Sequence, residues 1–223
     1  MLPRELLASA TVPGGEELRL IRRGSDFMIM MGGNELMSSR LSGSEVALAT
    51  MTAERLGERT GAHWLIGGYG MGFTLRAALA TTRPDARLTV AELVPEIVEW
   101  ARGPMAGLTG DCLDDPRVDV AIGDVGSRIA AGRAEYDAIL LDVDNGPDGL
   151  SRPANDRLYS RAGLDVARAA LRSGGILAIW SAGPDPRFAR RLREAGFDVE
   201  EVVVGSRGGR QGARHTIWFA ARG

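Results

Sequence analysis

A run of glycines and three carboxylates stand where a nucleoside site would need them. Gly67-Gly68-Tyr69-Gly70-Met71-Gly72 follows the apolar stretch His63-Trp64-Leu65-Ile66. Glycine removes the Cβ where a chain turns tightly and where a ligand must approach the backbone. A dinucleotide fingerprint would carry its third glycine at position 73, which is Phe73. The shorter spacing Gly68-x-Gly70-x-Gly72 is that of a site for an S-adenosylmethionine-type nucleoside. Glu92 ends the next apolar stretch, where a carboxylate can accept from both ribose hydroxyls. Asp124 ends the stretch after that, and could accept from an adenine amino group. Leu93 and Val125, which follow these acids, complete the expected nucleoside contacts. The plainer alternative is that each acid caps the helix after its strand and that the glycines form an ordinary corner.

A third strand-end acid points to chemistry. Tyr136-Asp137-Ala138-Ile139-Leu140-Leu141-Asp142 is a buried-strand pattern ending in a carboxylate, and Val143-Asp144-Asn145-Gly146-Pro147 follows. There Asp142 could pair with a sulfonium or an amine, or take a proton from an attacking nitrogen. Asp144 could raise its proton affinity by like-charge repulsion. The alternative is a turn of Asp, Asn, Gly and Pro without chemistry.

The elements that must position these residues can be read from hydrophobic periodicity. Residues 1–43 read as a small β region, with strands at 17–22, 26–31 and 35–40. Ser44 is placed to cap a helix over 44–58 with Val46, Ala49, Ala53 and Leu56 on its buried face. From there to residue 223 strands and helices alternate, with strands at 63–66, 87–92, 118–122, 136–143 and 176–180. The intervening helices are expected at 74–80, 95–102, 126–131 and 161–171, and a last one runs from 185 to about 194. Such alternation requires right-handed crossovers and a parallel sheet covered on both faces. Strands at 199–204 and 216–220 have no helix between them and should form an antiparallel hairpin. The expected fold is therefore α/β: a Rossmann-like catalytic domain at 44–223 and the N-terminal β region at 1–43.

Composition narrows the function classes. The 223 residues carry a formal charge of -2 and are 44% hydrophobic, which suits a globular protein and not a generic nucleic-acid binder. No apolar run approaches membrane-spanning length, and the N-terminus lacks a signal-peptide layout, so a cytoplasmic location is expected. Every basic residue is arginine, which excludes Schiff-base chemistry on lysine. Cys112 is the sole cysteine and lies in a polar turn; neither His63 nor His215 has partners at metal-ligand spacing. No metal site and no catalytic thiol are expected, and both histidines read as structural or surface residues. Phe27, Met28, Met30, Met31 and Met37 read as a core or dimer contact. The Arg/Gly-rich stretch 206–214 reads as a solvated hairpin loop.

Taken together, residues 63–75, Ala91-Glu92-Leu93-Val94-Pro95-Glu96, Asp115-Pro116-Arg117-Val118, Gly123-Asp124 and the run ending at Asp142 resemble the spermidine synthase (polyamine aminopropyltransferase) family. The likeness extends over most of 15–222. It implies the class I methyltransferase-like fold with a seven-stranded sheet, and often a dimer. It also implies Asp142 as general base, Glu92 on the ribose and Asp124 on the adenine amino group. Two departures stand out. Gly70 occupies the place of the family's aspartate for the donor's aminopropyl amine, and the family's Tyr-His-Glu reads Gly43-Ser44-Glu45 here. Arg40 would repel a polycation.

The expected acceptor-side residues are thus Arg40, Glu45, Asp144, Asn145 and Tyr159. The departures favour methyl transfer from S-adenosylmethionine to a small-molecule acceptor, within a homodimer and without nucleic acid, membrane or metal. Aminopropyl transfer from decarboxylated S-adenosylmethionine to a divergent amine is the alternative. A non-catalytic, nucleoside-binding dimeric module is the third.

Overall fold

A computed structural model describes residues 2–143, 156–207 and 212–223. Four strands open the chain: β1 (Glu5–Thr11), β2 (Glu17–Arg23), β3 (Asp26–Met31) and β4 (Asn34–Ser38). They form an antiparallel sheet in the order β1-β2-β3-β4. The chain continues through α1 (Gly43–Leu56), β5 (His63–Gly67), α2 (Phe73–Thr81), β6 (Arg87–Glu92), α3 (Pro95–Arg102) and α4 (Ala106–Thr109). Next come β7 (Val118–Ile122), α5 (Val125–Ala131), β8 (Tyr136–Leu141), α6 (Asp156–Tyr159) and α7 (Arg161–Ala170). The described elements close with β9 (Leu171–Ser181), α8 (Pro186–Glu194), β10 (Phe197–Gly205) and β11 (Arg214–Arg222).

The second sheet has seven strands in the order β10-β11-β9-β8-β5-β6-β7. Strands β5 to β9 pair in parallel, and β11 runs antiparallel to both of its neighbours. The fold is α/β with the closing antiparallel pair that the missing helix implied. The chain leaves β5 for β6 and β7, then returns to β8 on the other side of β5. That reversal opens a crevice at the carboxyl ends of β5 and β8.

Both faces of this sheet are covered. One apolar cluster joins Leu48 of α1, Leu75 of α2, Val98 of α3 and Leu18, Leu20 and Ile29 of the N-terminal sheet to the sheet. The other joins Ile129 of α5, Leu164 of α7 and Phe188 of α8 to the opposite face. Buried on both sides, β5 and β8 read as near-continuous apolar runs rather than alternations, with the buried Asp137 near the start of β8.

Three sequence expectations need correction. Strand β1 was not expected: only Ala10 of its seven residues is buried, and a register shift between Leu6 and Ala8 erases the alternation. Helix α1 begins at Gly43 after Ser42, and its buried residues are Ser44, Glu45, Leu48, Ala49 and Thr52. Val46 points outward at 38% exposure, because polar side chains take the inward places at the start of this helix. Helix α7 stops at Ala170, and β9 begins five residues earlier than expected, running through Gly174-Gly175.

Candidate active site

A cleft of about 380 Å³ lies at the carboxyl ends of β5 to β8, under the N-terminal sheet. Its size is that of a small-ligand pocket.

The glycine loop forms its floor. The Gly68 N–H donates to the Ala91 carbonyl at 2.9 Å. A Cβ on Gly68 would stand 2.8 Å from the Asp142 carbonyl oxygen, so glycine is needed for the ends of β5 and β8 to meet. Gly70 has φ +54°, and a Cβ there would meet Met37 Sδ and Cε at 2.8 Å. Gly68 and Gly70 line the cleft; Gly72 does not, and its left-handed backbone starts α2 over the Tyr69 ring.

Glu92 is 5% exposed. Its Oε2 accepts from the Tyr69 N–H at 2.8 Å and its Oε1 from the Val94 N–H at 2.9 Å. Burial raises its pKa, against the backbone donors that lower it. Glu92 lines the cleft beside Leu93 and Val94. Asp124 accepts at Oδ2 from the Ser127 N–H at 2.8 Å and from the Ser127 hydroxyl at 3.0 Å, capping α5. The plain capping role is therefore real, yet Oδ1 takes no part in it and Asp124 lines the cleft. Leu93 and Val125 line it as well.

Asp142 stands at the end of β8. Its Oδ2 accepts from the Thr74 hydroxyl at 3.0 Å. Desolvation pushes its pKa up to about 7, with Glu45 as the second cause. The like charge is thus Glu45 of α1, a residue remote in sequence; Asp144 and Asn145 lie outside the described residues. Glu45 is 8% exposed and is itself raised by burial, with Ser44 Oγ donating to its Oε2 at 2.7 Å.

Two expected acceptor-side residues stand elsewhere. Arg40 is exposed, 3.6 Å from Asp26, and does not line the cleft. Tyr159 is buried in the smaller apolar cluster, edge-on to Phe188. Several lining residues were not singled out for the site. Met31 and Met37, assigned to core or dimer contact, line the cleft, whereas Met28 and Met30 are core. His215, read as structural or surface, lines it with Trp180. Cys112 is buried beneath the glycine loop, its Sγ 3.4 Å from the Tyr69 hydroxyl, rather than in a polar turn. Within the Arg/Gly-rich stretch, 208–211 lie outside the described residues.

The charge pattern of the lining is one-sided. Glu35, Glu45, Glu92, Asp124 and Asp142 line the cleft, and no arginine does so among the described residues. In a chain whose net charge is only -2, this concentrates negative potential in one concavity.

Known proteins resemble this chain in sequence and fold. The spermine/spermidine synthase domain matches residues 62–185. The polyamine aminopropyltransferase of Corynebacterium efficiens is 31% identical over 193 residues, covering 81% of this chain and 35% of that protein. That of Mycobacterium tuberculosis is 28% identical over 198 residues, covering 85% and 36%. Putrescine N-methyltransferase 2 of Nicotiana tabacum is 34% identical over 114 residues, covering 51% and 30%. The chain therefore spans about a third of the length of the polyamine aminopropyltransferases it matches. The crystal structure of spermidine synthase from Thermotoga maritima has the same fold, with a TM-score of 0.75 at 16% identity over 98% of this chain and 73% of that one. A spermidine synthase in complex with the transition-state analogue AdoDATO gives 0.74 at 17%, over 98% and 72%. With the domain match covering more than half of the chain, and the fold and relatives in agreement, the chain belongs to the spermine/spermidine synthase family.

Proposed function

We propose that this chain transfers an aminopropyl group from decarboxylated S-adenosylmethionine to an amine acceptor. The observation that carries the reading is the cleft lined by five carboxylates and no arginine among the described residues, which suits a cationic donor and a cationic acceptor. Removing Arg40 from the cleft also removes the repulsion that argued against a polyamine. The relatives named polyamine aminopropyltransferases support the same choice.

In this reading Glu92 holds the ribose and Asp124 the adenine edge, which aligns the sulfonium with the acceptor. The amine lone pair attacks the carbon bonded to sulfur, and the C–S electron pair leaves with the thioether nucleoside. The proton released by the new secondary ammonium passes to Asp142, whose raised pKa suits a base near neutrality.

Methyl transfer is the second reading, favoured by one observation. Met37 covers Gly70, so an apolar thioether stands where the family resemblance expects a carboxylate for the donor amine. Incubating the protein with putrescine and each donor separates the readings by product mass. Methylthioadenosine formed from the decarboxylated donor is the expected result. S-adenosylhomocysteine formed only from the carboxylated donor would establish the second reading. Turnover with neither donor would leave a nucleoside-binding module.

A further inference from the structure

A hydrogen-bonded chain reaches Glu45 from the last strand of the sheet. The Gly43 N–H donates to the Ser206 carbonyl at 2.9 Å, which ties the start of α1 to the β10–β11 end of the sheet. Ser44, 0% exposed, is thereby set beside β11, and its Oγ lies 2.9 Å from His215 Nδ1. The same Oγ donates to Glu45 Oε2 at 2.7 Å. A hydroxyl has one proton to give. With that proton on the Glu45 side, Ser44 must accept from His215, which requires the Nδ1–H tautomer. Burial lowers the His215 pKa and keeps the ring neutral at pH 7. The ring packs edge-on to Trp180 at 4.8 Å, and the Trp180 Nε1 is buried without a hydrogen-bond partner among the described residues.

These contacts meet an electrostatic need. When both are ionised Glu45 and Asp142 repel one another, and a Glu45 side chain free to rotate would turn away. A donor locked onto Glu45 opposes that rotation. We propose that His215 is a positioning residue for the acceptor: through Ser44 it holds Glu45 beside Asp142, so that the two carboxylates receive one ammonium end of the amine against a wall of Trp180 and His215. The proposal rests on the amine-transfer reading above and assigns the acceptor end of that site.

Three variants isolate the donor from the ring. His215→Phe keeps an aromatic body and loses the hydrogen bond; His215→Ala loses both; His215→Asn keeps an N–H near the Nδ1 position. Putrescine affinity is measured by calorimetry with methylthioadenosine bound, and KM and kcat in turnover. His215→Phe and His215→Ala should weaken putrescine binding and raise its KM about tenfold, the upper end of what one neutral hydrogen bond contributes. The nucleoside affinity should stay at the wild-type value, and His215→Asn should recover most of the loss. A ring needed only for packing would give the reverse order, with Phe tolerated and Asn impaired. Nitrogen NMR of the imidazoles provides an independent readout, since the chain has only two histidines. His215 should be a neutral Nδ1–H tautomer that Ser44→Ala disturbs. An Nε2–H tautomer, or wild-type putrescine affinity in His215→Phe, overturns the proposal alone. A wild type with the Nδ1–H tautomer that binds no diamine overturns the amine reading and this proposal with it.

Discussion

The two halves of the cleft are built on opposite electrostatic plans. On the side of β6 and β7 each carboxylate accepts from nearby backbone: Glu92 from the N–H groups of Tyr69 and Val94, Asp124 from that of Ser127. Such acids are fixed in place by the fold itself, through the backbone they accept from. On the other side Glu45 accepts from the Ser44 hydroxyl and Asp142 from that of Thr74, and the charge of Glu45 raises the cost of ionising Asp142. That pair is relieved by a cation. The contrast teaches that one cleft can combine rigidly held carboxylates with a pair whose joint ionisation is costly; in the proposed reaction the first would hold the sugar and base and the second the charged acceptor.

The comparison can be broken most sharply at Asp142. Asp142→Asn should lower turnover by about 10³-fold, within the range for loss of a general base, while nucleoside affinity, measured by calorimetry, changes less than about twofold. The same change should stabilise the fold at alkaline pH. The folded pKa of Asp142 lies above its unfolded value of about 4, so its favourable contribution is complete below pH 4. It is lost as pH rises through about 7. Denaturant melts at pH 8 should therefore show Asp142→Asn more stable than wild type by on the order of 1–3 kcal/mol, with the difference vanishing near pH 4. An unchanged or lower stability at pH 8 would remove the tension from the acceptor half.

Glu92→Gln tests the other half. It should weaken the product nucleoside about 10- to 100-fold, because one oxygen becomes a donor facing the ribose, and leave the acceptor KM within about twofold. The pH profile comes next in size. Turnover should rise about tenfold per unit below pH 7 and bend near 7 as Asp142 ionises. A profile that falls over that interval would contradict a base at this position. Smaller again is Gly70→Ala, which combines a φ of +54° with contact on Met37. It should cost about 1–2 kcal/mol, and Met37→Ala in the same chain should recover only the contact part. Asp124→Ala should cost about 1 kcal/mol through the lost cap of α5, and Asp124→Asn less, read by thermal melts.

Legibility in the sequence follows the same division. The parallel strands could be read because β5 and β8 are mostly apolar and are spaced by helix-length segments. Glu92 and Asp124 could be placed at strand ends because their positions depend on chain-local periodicity. Strand β1 could not, since it buries a single residue of seven. Hydrophobic periodicity does not mark the inward face of α1, because the polar Ser44, Glu45 and Thr52 are buried on it. Arg40 and Tyr159 sit near informative segments in sequence and outside the cleft in space.

From residue order alone follow the α/β class, the crevice at the reversal of the sheet, and the backbone turn with the acids that flank it. Each depends on neighbours within one strand-to-helix unit. The company that Asp142 keeps was decided only by folding. Glu45, Met37, Trp180 and His215 come from four other elements, and no local periodicity records which side chains the packing of α1 and the N-terminal sheet against the barrel-less, open sheet will bring within reach of one carboxylate.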